Sequence, residues 1–93
     1  MTIGILEISI KIDASHSLKD KRMVLKSLKD RVRNNFNVAV SEIGAQDNWQ
    51  ISRLCIVSVN SDKRCLNSLL CKILEFVHHI SGIEVNDYHL EFI

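Results

Sequence analysis

Residues 3–12 alternate between two faces, the odd one apolar at its first end and polar from Glu7 onward, and a helical period follows at once. Leu6, Ile8, Ile10 and Ile12 share one face with Gly4, and Ile3, Ile5, Glu7, Ser9 and Lys11 share the other. A period of two of this kind predicts a strand with its even face on a core. Residues 13–17 connect it to residues 18–34. There, at about 100° per residue, Leu18, Leu25, Leu28, Val32 and Phe36 fall on one arc, with Val24 at its margin. Ser17 is placed to cap this helix, with Asp20 three residues on as a short version of the capping box. Residues 34–37 (Asn-Asn-Phe-Asn) end it, asparagine being tolerant of the left-handed conformation of a helix exit.

The pattern then predicts a short strand over residues 38–43, a polar turn containing Gly44, and a strand opening at Trp49 and running to about Val59. That third strand is apolar on both faces, with Leu54 and Ile56 on one and Ile51, Cys55, Val57 and Val59 on the other, as a central strand would be. Ser61 is the expected cap of a second helix, in which Leu66, Leu69, Leu70, Ile73, Leu74, Val77 and Ile80 keep helical spacing, and Gly82 is its expected left-handed C-cap. In the last strand Tyr88, Leu90 and Phe92 alternate with His89 and Glu91. Ile83 and Val85 are out of phase with that set, which predicts a bulge near Asn86 and Asp87. Strand, helix, strand, strand, helix, strand implies a single ferredoxin-like α+β domain over residues 1–93. Its four-stranded antiparallel sheet carries both helices on one face and leaves the other face open.

Charge changes this picture more than composition does. An apolar fraction of 46% and a charged fraction of 25% are those of an ordinary globular domain. The net charge of +1 conceals a dipole: residues 16–35 hold seven basic and two acidic side chains (+5), and the remainder five basic and nine acidic (−4). Within the basic stretch Lys19, Arg22, Lys26, Lys29 and Arg33 recur at spacings of three and four, which stacks them along one flank of a helix about 25 Å long. Such a row is either a solvated rim, with long stems covering the core edge, or an anion-binding surface. The usual mixing of signs at i,i+4 is represented near it only by Lys26 and Asp30.

No apolar run reaches the length of a membrane span, and no signal peptide is expected. Cys55, Cys65 and Cys71 are odd in number and lack CxxC spacing, which fits reduced thiols in a cytoplasm. His78 and His79 are adjacent, so on a helix they diverge, and no metal or other cofactor is expected. Glycine-rich phosphate loops, GxSxG and HExxH are all missing, and the expectation is a protein that is not an enzyme.

Several segments together resemble a known family. They are His16-Ser17-Leu18-Lys19-Asp20-Lys21-Arg22, Leu25-Lys26-Ser27-Leu28, Arg31-Val32-Arg33, Phe36-Asn37-Val38, and Asp47 with Trp49-Gln50. The chain is similar over its whole length to the small bacterial YlxP-like family, which is classed by a domain of unknown function. The resemblance implies a ferredoxin-like fold. Because genes of the family often neighbour those for a translation initiation factor and a ribosome-binding factor, it also implies a role near ribosome assembly or RNA. It supplies no catalytic residue. Ser52 and Ser58 stand where the family more often has small apolar residues.

The same fold serves RNA-recognition modules that stack bases on aromatics of the central strands, but residues 3–12 and 51–59 contain no aromatic residue. Nucleic-acid contact is therefore expected through Lys19, Arg22, Lys26, Lys29 and Arg33, and through the start of the first helix at Ser17. For Ser15 and Ser17 simple capping is the plainer role. Trp49 has two roles open to it: stacking on a base, or, as the more frequent arrangement, closing the end of the core while its indole N–H finds a carbonyl. The open sheet face, with Ile3, Ile5, Cys55 and Val57, is expected to form a homodimer interface. The resulting expectation is a non-catalytic RNA- or ribosome-associated module with ribosomal RNA or a subunit as partner. The alternative is a self-associating interaction domain whose basic row meets an acidic protein. A small-ligand or catalytic domain ranks last.

Overall fold

Every second residue of β1 (Thr2–Ile12) from Gly4 onward is buried, as the alternation requires, and the rest of the chain assembles on that strand. The computed structural model describes residues 1–93. After β1 come α1 (Leu18–Asn35), β2 (Ala39–Gly44), β3 (Ile51–Asn60), α2 (Lys63–His78) and β4 (Ile83–Phe92). The sheet order is β2-β3-β1-β4 with every neighbouring pair antiparallel. Each strand–helix–strand crossover skips one position, and the other crossover fills it, which is the ferredoxin-like α+β arrangement. Neither helix is long and apolar enough to cross a membrane.

The core lies between one sheet face and the two helices. Leu6, Ile8, Ile10 and Ile12 of β1 meet Leu54 and Ile56 of β3, Leu25, Leu28 and Val32 of α1, and Leu66, Leu70, Ile73 and Val77 of α2. Gly4 sets how closely α2 lies on the sheet. A methyl group there would stand 2.7 Å from Leu70 Cδ1 and 2.9 Å from Leu66 Cδ2, and both leucines are fully buried. The bulge in β4 falls at Asn86: Ser9 opposes Asp87 while Ile10 opposes Val85. A second irregularity leaves Ile43 extra in β2, since Glu42 opposes Leu54 and Gly44 opposes Arg53.

The element ends depart from expectation in four places. Helix α1 leaves through Phe36 in extended conformation (φ −139°), held by its N–H to Val32 O and an edge-to-face contact with Phe76 at 5.6 Å, so no asparagine turns left-handed. Asp62, not Ser61, caps α2, because its carboxylate accepts from Arg64 N at 2.8 Å. Helix α2 closes at His79; Gly82 (φ +82°) serves the following turn into β4 instead. Strand β3 begins at Ile51, which leaves Trp49 in the turn. Ser52 and Ser58 face the core side and are satisfied there, donating to Glu42 at 2.6 Å and to Asn37 O at 3.0 Å.

Candidate nucleic-acid interface

The start of α1 is closed by its own side chains. Ser17 Oγ accepts from Asp20 N at 3.0 Å, which satisfies one helix-end donor, and Asp20 Oδ2 reaches back to accept from His16 N, just before the cap, at 3.2 Å. Ser17 is thus committed to capping, and the Asp20 carboxylate occupies the end at which a phosphate was expected. Ser15 is buried, and its hydroxyl donates to Trp49 O at 2.6 Å.

Four residues after the cap, Lys21 does what no charge count shows. Its side chain is 2% exposed, and its ammonium lies 2.9 Å from Glu42 Oε2 while donating to Ala45 O at 2.6 Å. Ser52 Oγ donates to the same Glu42 oxygen. A buried amine with a carboxylate and a carbonyl around it is paired and hydrogen-bonded, the condition under which burial of charge is tolerated. The network ties the first turn of α1 to the end of β2 and the start of β3, at the turn where Ala45 adopts φ +58°. It also closes the end of the core that Trp49 was expected to close.

Trp49 instead stands 56% exposed, and what the protein binds is its backbone carbonyl. The turn beneath it is braced throughout. Asn48 N donates to Ala45 O, Asn48 Oδ1 accepts from Gln50 N and Ile51 N at 2.9 Å, and Gln50 Nε2 donates to Ser15 O at 3.3 Å.

Along the flank of α1, Lys19, Arg22 and Lys26 are exposed and Lys29 is half-buried. Lys26 is 3.5 Å from Asp30, but both side chains are at least half exposed, so the pair is weak. Arg33 is engaged: Nη2 donates to Val40 O at 2.9 Å and Nη1 lies 3.8 Å from Asp30. Helix α1 is therefore fastened to β2 near both ends, by Arg33 on Val40 and by Lys21 on Glu42. The row runs beside the outer edge of β2 from one fastening to the other. Lys19, Arg22, Lys26 and Lys29 are the cations left to bind something else.

The open sheet face divides into two parts. Ile3 pairs with Val59 and Ile5 with Val57, and Ile3 also exchanges two backbone hydrogen bonds of 2.9 Å with Ile93. Ile3, Ile5, Val57 and Cys55 are half-buried, while Val59 and Ile93 are 59% and 65% exposed. Beyond Cys55 the face turns polar, with Glu7 3.6 Å from Arg53. Burial, and then the charge of Glu7 opposite, push the Cys55 thiol up from its usual value. Cys65 and Cys71 are exposed on α2. At mildly alkaline pH a raised pKa means less thiolate, so iodoacetamide should label Cys65 and Cys71 well before Cys55. Peptide mapping of a time course checks this; Cys55 labelled first would contradict it.

The groove between α1 and the α2–β4 turn, about 310 Å³, is lined by Met23, Val24, Leu28, Ile80 and Ile83 together with Arg31. The Arg31 guanidinium lies over the Phe76 ring at 5.5 Å, so the one charge at this groove is turned to a neighbouring aromatic.

Comparison with known proteins places this geometry in context. A family model described as a protein of unknown function (DUF503) matches residues 3–90. The uncharacterized protein YlxP of Bacillus subtilis (strain 168) is 42% identical over 82 residues, which covers 88% of this chain and 89% of that protein. Among solved structures, the de novo designed protein Foldit4 superposes with a TM-score of 0.54 at 18% identity, over 98% of this chain and 96% of that one. That likeness concerns the fold alone.

Proposed function

The chain belongs to the DUF503 family, whose description assigns no activity, and we propose that it is a non-catalytic, cytoplasmic module that associates with RNA; its basic row supports the RNA contact, and the resemblance to the YlxP-like family adds ribosomal RNA or a ribosomal subunit as the partner. One observation carries the reading. Lys19, Arg22, Lys26 and Lys29 form a single-sign row on a helix that is packed on its other side and fastened to β2 near both ends. Presented this way, the cations meet phosphates without rearrangement of the backbone, and binding of this type depends on salt rather than on base sequence. Over the roughly 15 Å from Lys19 to Lys29, at 1.5 Å per residue, the row matches a few consecutive phosphates. Titration of a ribosomal RNA fragment at increasing salt tests the reading. A slope corresponding to about two to four phosphates, at roughly 0.7–0.9 log units each, supports it. Binding that ignores salt, or no binding at low salt, overturns it. An acidic protein partner would be retained from lysate after nuclease treatment, whereas a ribosomal subunit held through RNA would be lost.

The apolar end of the open sheet face supports self-association alongside this. Ile93, Ile3, Val59, Ile5 and Val57 are contiguous across β4, β1 and β3, and no element of this chain covers them. A second copy brings the same flat patch, and the Glu7–Arg53 pair at its border offers both signs to a two-fold mate. Ile5→Lys should convert a homodimer to monomer in sedimentation experiments. A wild-type protein already monomeric at tens of micromolar would contradict the dimer and leave the basic row untouched.

A further inference from the structure

We infer that the RNA taken by the basic row is single-stranded, with one unpaired base stacked on the indole of Trp49 while phosphates of the same strand lie along Lys19, Arg22, Lys26 and Lys29. This rests on the phosphate-binding reading above and names its substrate class.

The first argument is the state of Trp49. A large aromatic side chain more than half exposed gains little from the fold, yet the backbone under it is held by more hydrogen bonds than an idle turn needs. Buried Ser15 holds its carbonyl, Asn48 Oδ1 accepts from Gln50 N and Ile51 N, and buried Lys21 holds Ala45 at the turn's start. The indole is presented on a fixed base. A ligand that stacks on it does not have to order the turn beneath.

The second argument is place. Helix α1 runs antiparallel to β2, with Arg33 at Val40 and Lys21 at Ala45. A strand following the row toward the start of α1 therefore arrives at the turn that carries Trp49, which Ser15 joins to that same end of the helix.

The third argument is the chemistry around the ring. Asp47, Asn48 and Gln50 line a shallow depression of about 300 Å³ beside Trp49. The exposed Asp47 carboxylate disfavours a phosphate there and accepts from the N–H edge of a base. Gln50 spends its amide N–H on Ser15 O and keeps its side-chain oxygen for the same purpose. The row thus takes phosphates and the turn takes a base. Inside a duplex every base face is occupied by its neighbours, so away from the helix ends only an unpaired nucleotide can stack on an aromatic side chain.

Trp49 is the only tryptophan of the chain, so its fluorescence reports directly on this contact. A short single-stranded oligoadenylate and an A-form RNA duplex of equal length are titrated, with fluorescence read beside the anisotropy of labelled RNA. The single strand should quench Trp49, and the duplex should bind through the row without quenching. Trp49→Ala should weaken the single strand about 5- to 150-fold, the range implied by loss of one stacked base. It should leave duplex affinity and both salt slopes in place, and Trp49→Phe should restore part of the loss. If both RNAs bind alike without quenching, and Lys26→Glu/Lys29→Glu weakens both, the row stands and the stacking proposal fails. If neither RNA binds, the phosphate-binding reading fails and this inference with it.

Discussion

Lys21→Ala is expected to destabilise the protein by about 3–5 kcal/mol, the usual cost of removing one partner from a buried ion pair. About 1 kcal/mol moves the melting midpoint of a domain this size by about 4–8 °C, so the midpoint should fall by more than about 12 °C. Three losses coincide. The Glu42 carboxylate, 19% exposed, keeps only Ser52; the Ala45 carbonyl, at a left-handed turn, keeps only Asn48 N; and the aliphatic stem leaves a void in the core stripe of α1. The cost belongs to the broken network rather than to lost charge. A triple variant, Lys21→Met with Glu42→Leu and Ser52→Ala, replaces the whole network with apolar groups and should recover most of the loss. Thermal melts of the two variants check this. Lys21→Ala melting with the wild type would mean that the pair is not buried in solution.

That network also marks how far the residues themselves could be read. The elements and even the bulge at Asn86 follow from local period, and the sheet arrangement follows from the order of the elements and the handedness of their crossovers. Ile83 and Val85 are out of step with Leu90 and Phe92, and only one extra residue between them brings both sets against the core. Lys21 was legible by the same rule. It lies four residues before Leu25 and seven before Leu28, on their stripe, and Glu42 follows Val40 by two on the inner face of β2. A lysine at such a position ordinarily extends its stem past the core and keeps its head in water. What brings this one inside is the arrival of Glu42 and Ala45 under the first turn of α1, which depends on the long-range packing of helix on strand and on no local signal. Trp49 stays outside for the same reason: the polar network fills the end of the core it was expected to seal. Arg33 kept its place in the row but not its freedom, because the carbonyl that binds it lies on an edge strand and edge carbonyls cannot be located from spacing.

Reversing two charges of the row is the other large effect. Lys26 and Lys29 lie in its middle, outside the Lys21 network and the cap, with Lys29 one turn before Arg33. A glutamate at position 26 would repel Asp30, at about 0.2–0.5 kcal/mol for an i,i+4 pair, so Lys26→Glu/Lys29→Glu should stay within about 1 kcal/mol of wild type in stability. For RNA the change is much larger. Each phosphate contact is worth roughly 0.7–0.9 log units per decade of salt, so losing two weakens binding by about 25- to 60-fold at about 0.1 M salt. The control is Arg64→Glu/Lys72→Glu, at two exposed positions on α2; Lys63 is kept because its ammonium covers the Phe92 ring at 5.1 Å.

The deciding measurement is the salt dependence of ribosomal RNA binding for these three proteins side by side. The row as binding surface predicts a slope for Lys26→Glu/Lys29→Glu that is shallower by about 1.4–1.8 than wild type, with the α2 control close to wild type. Equal affinities and equal slopes for all three would contradict it and leave the cations of α1 as a solvated rim.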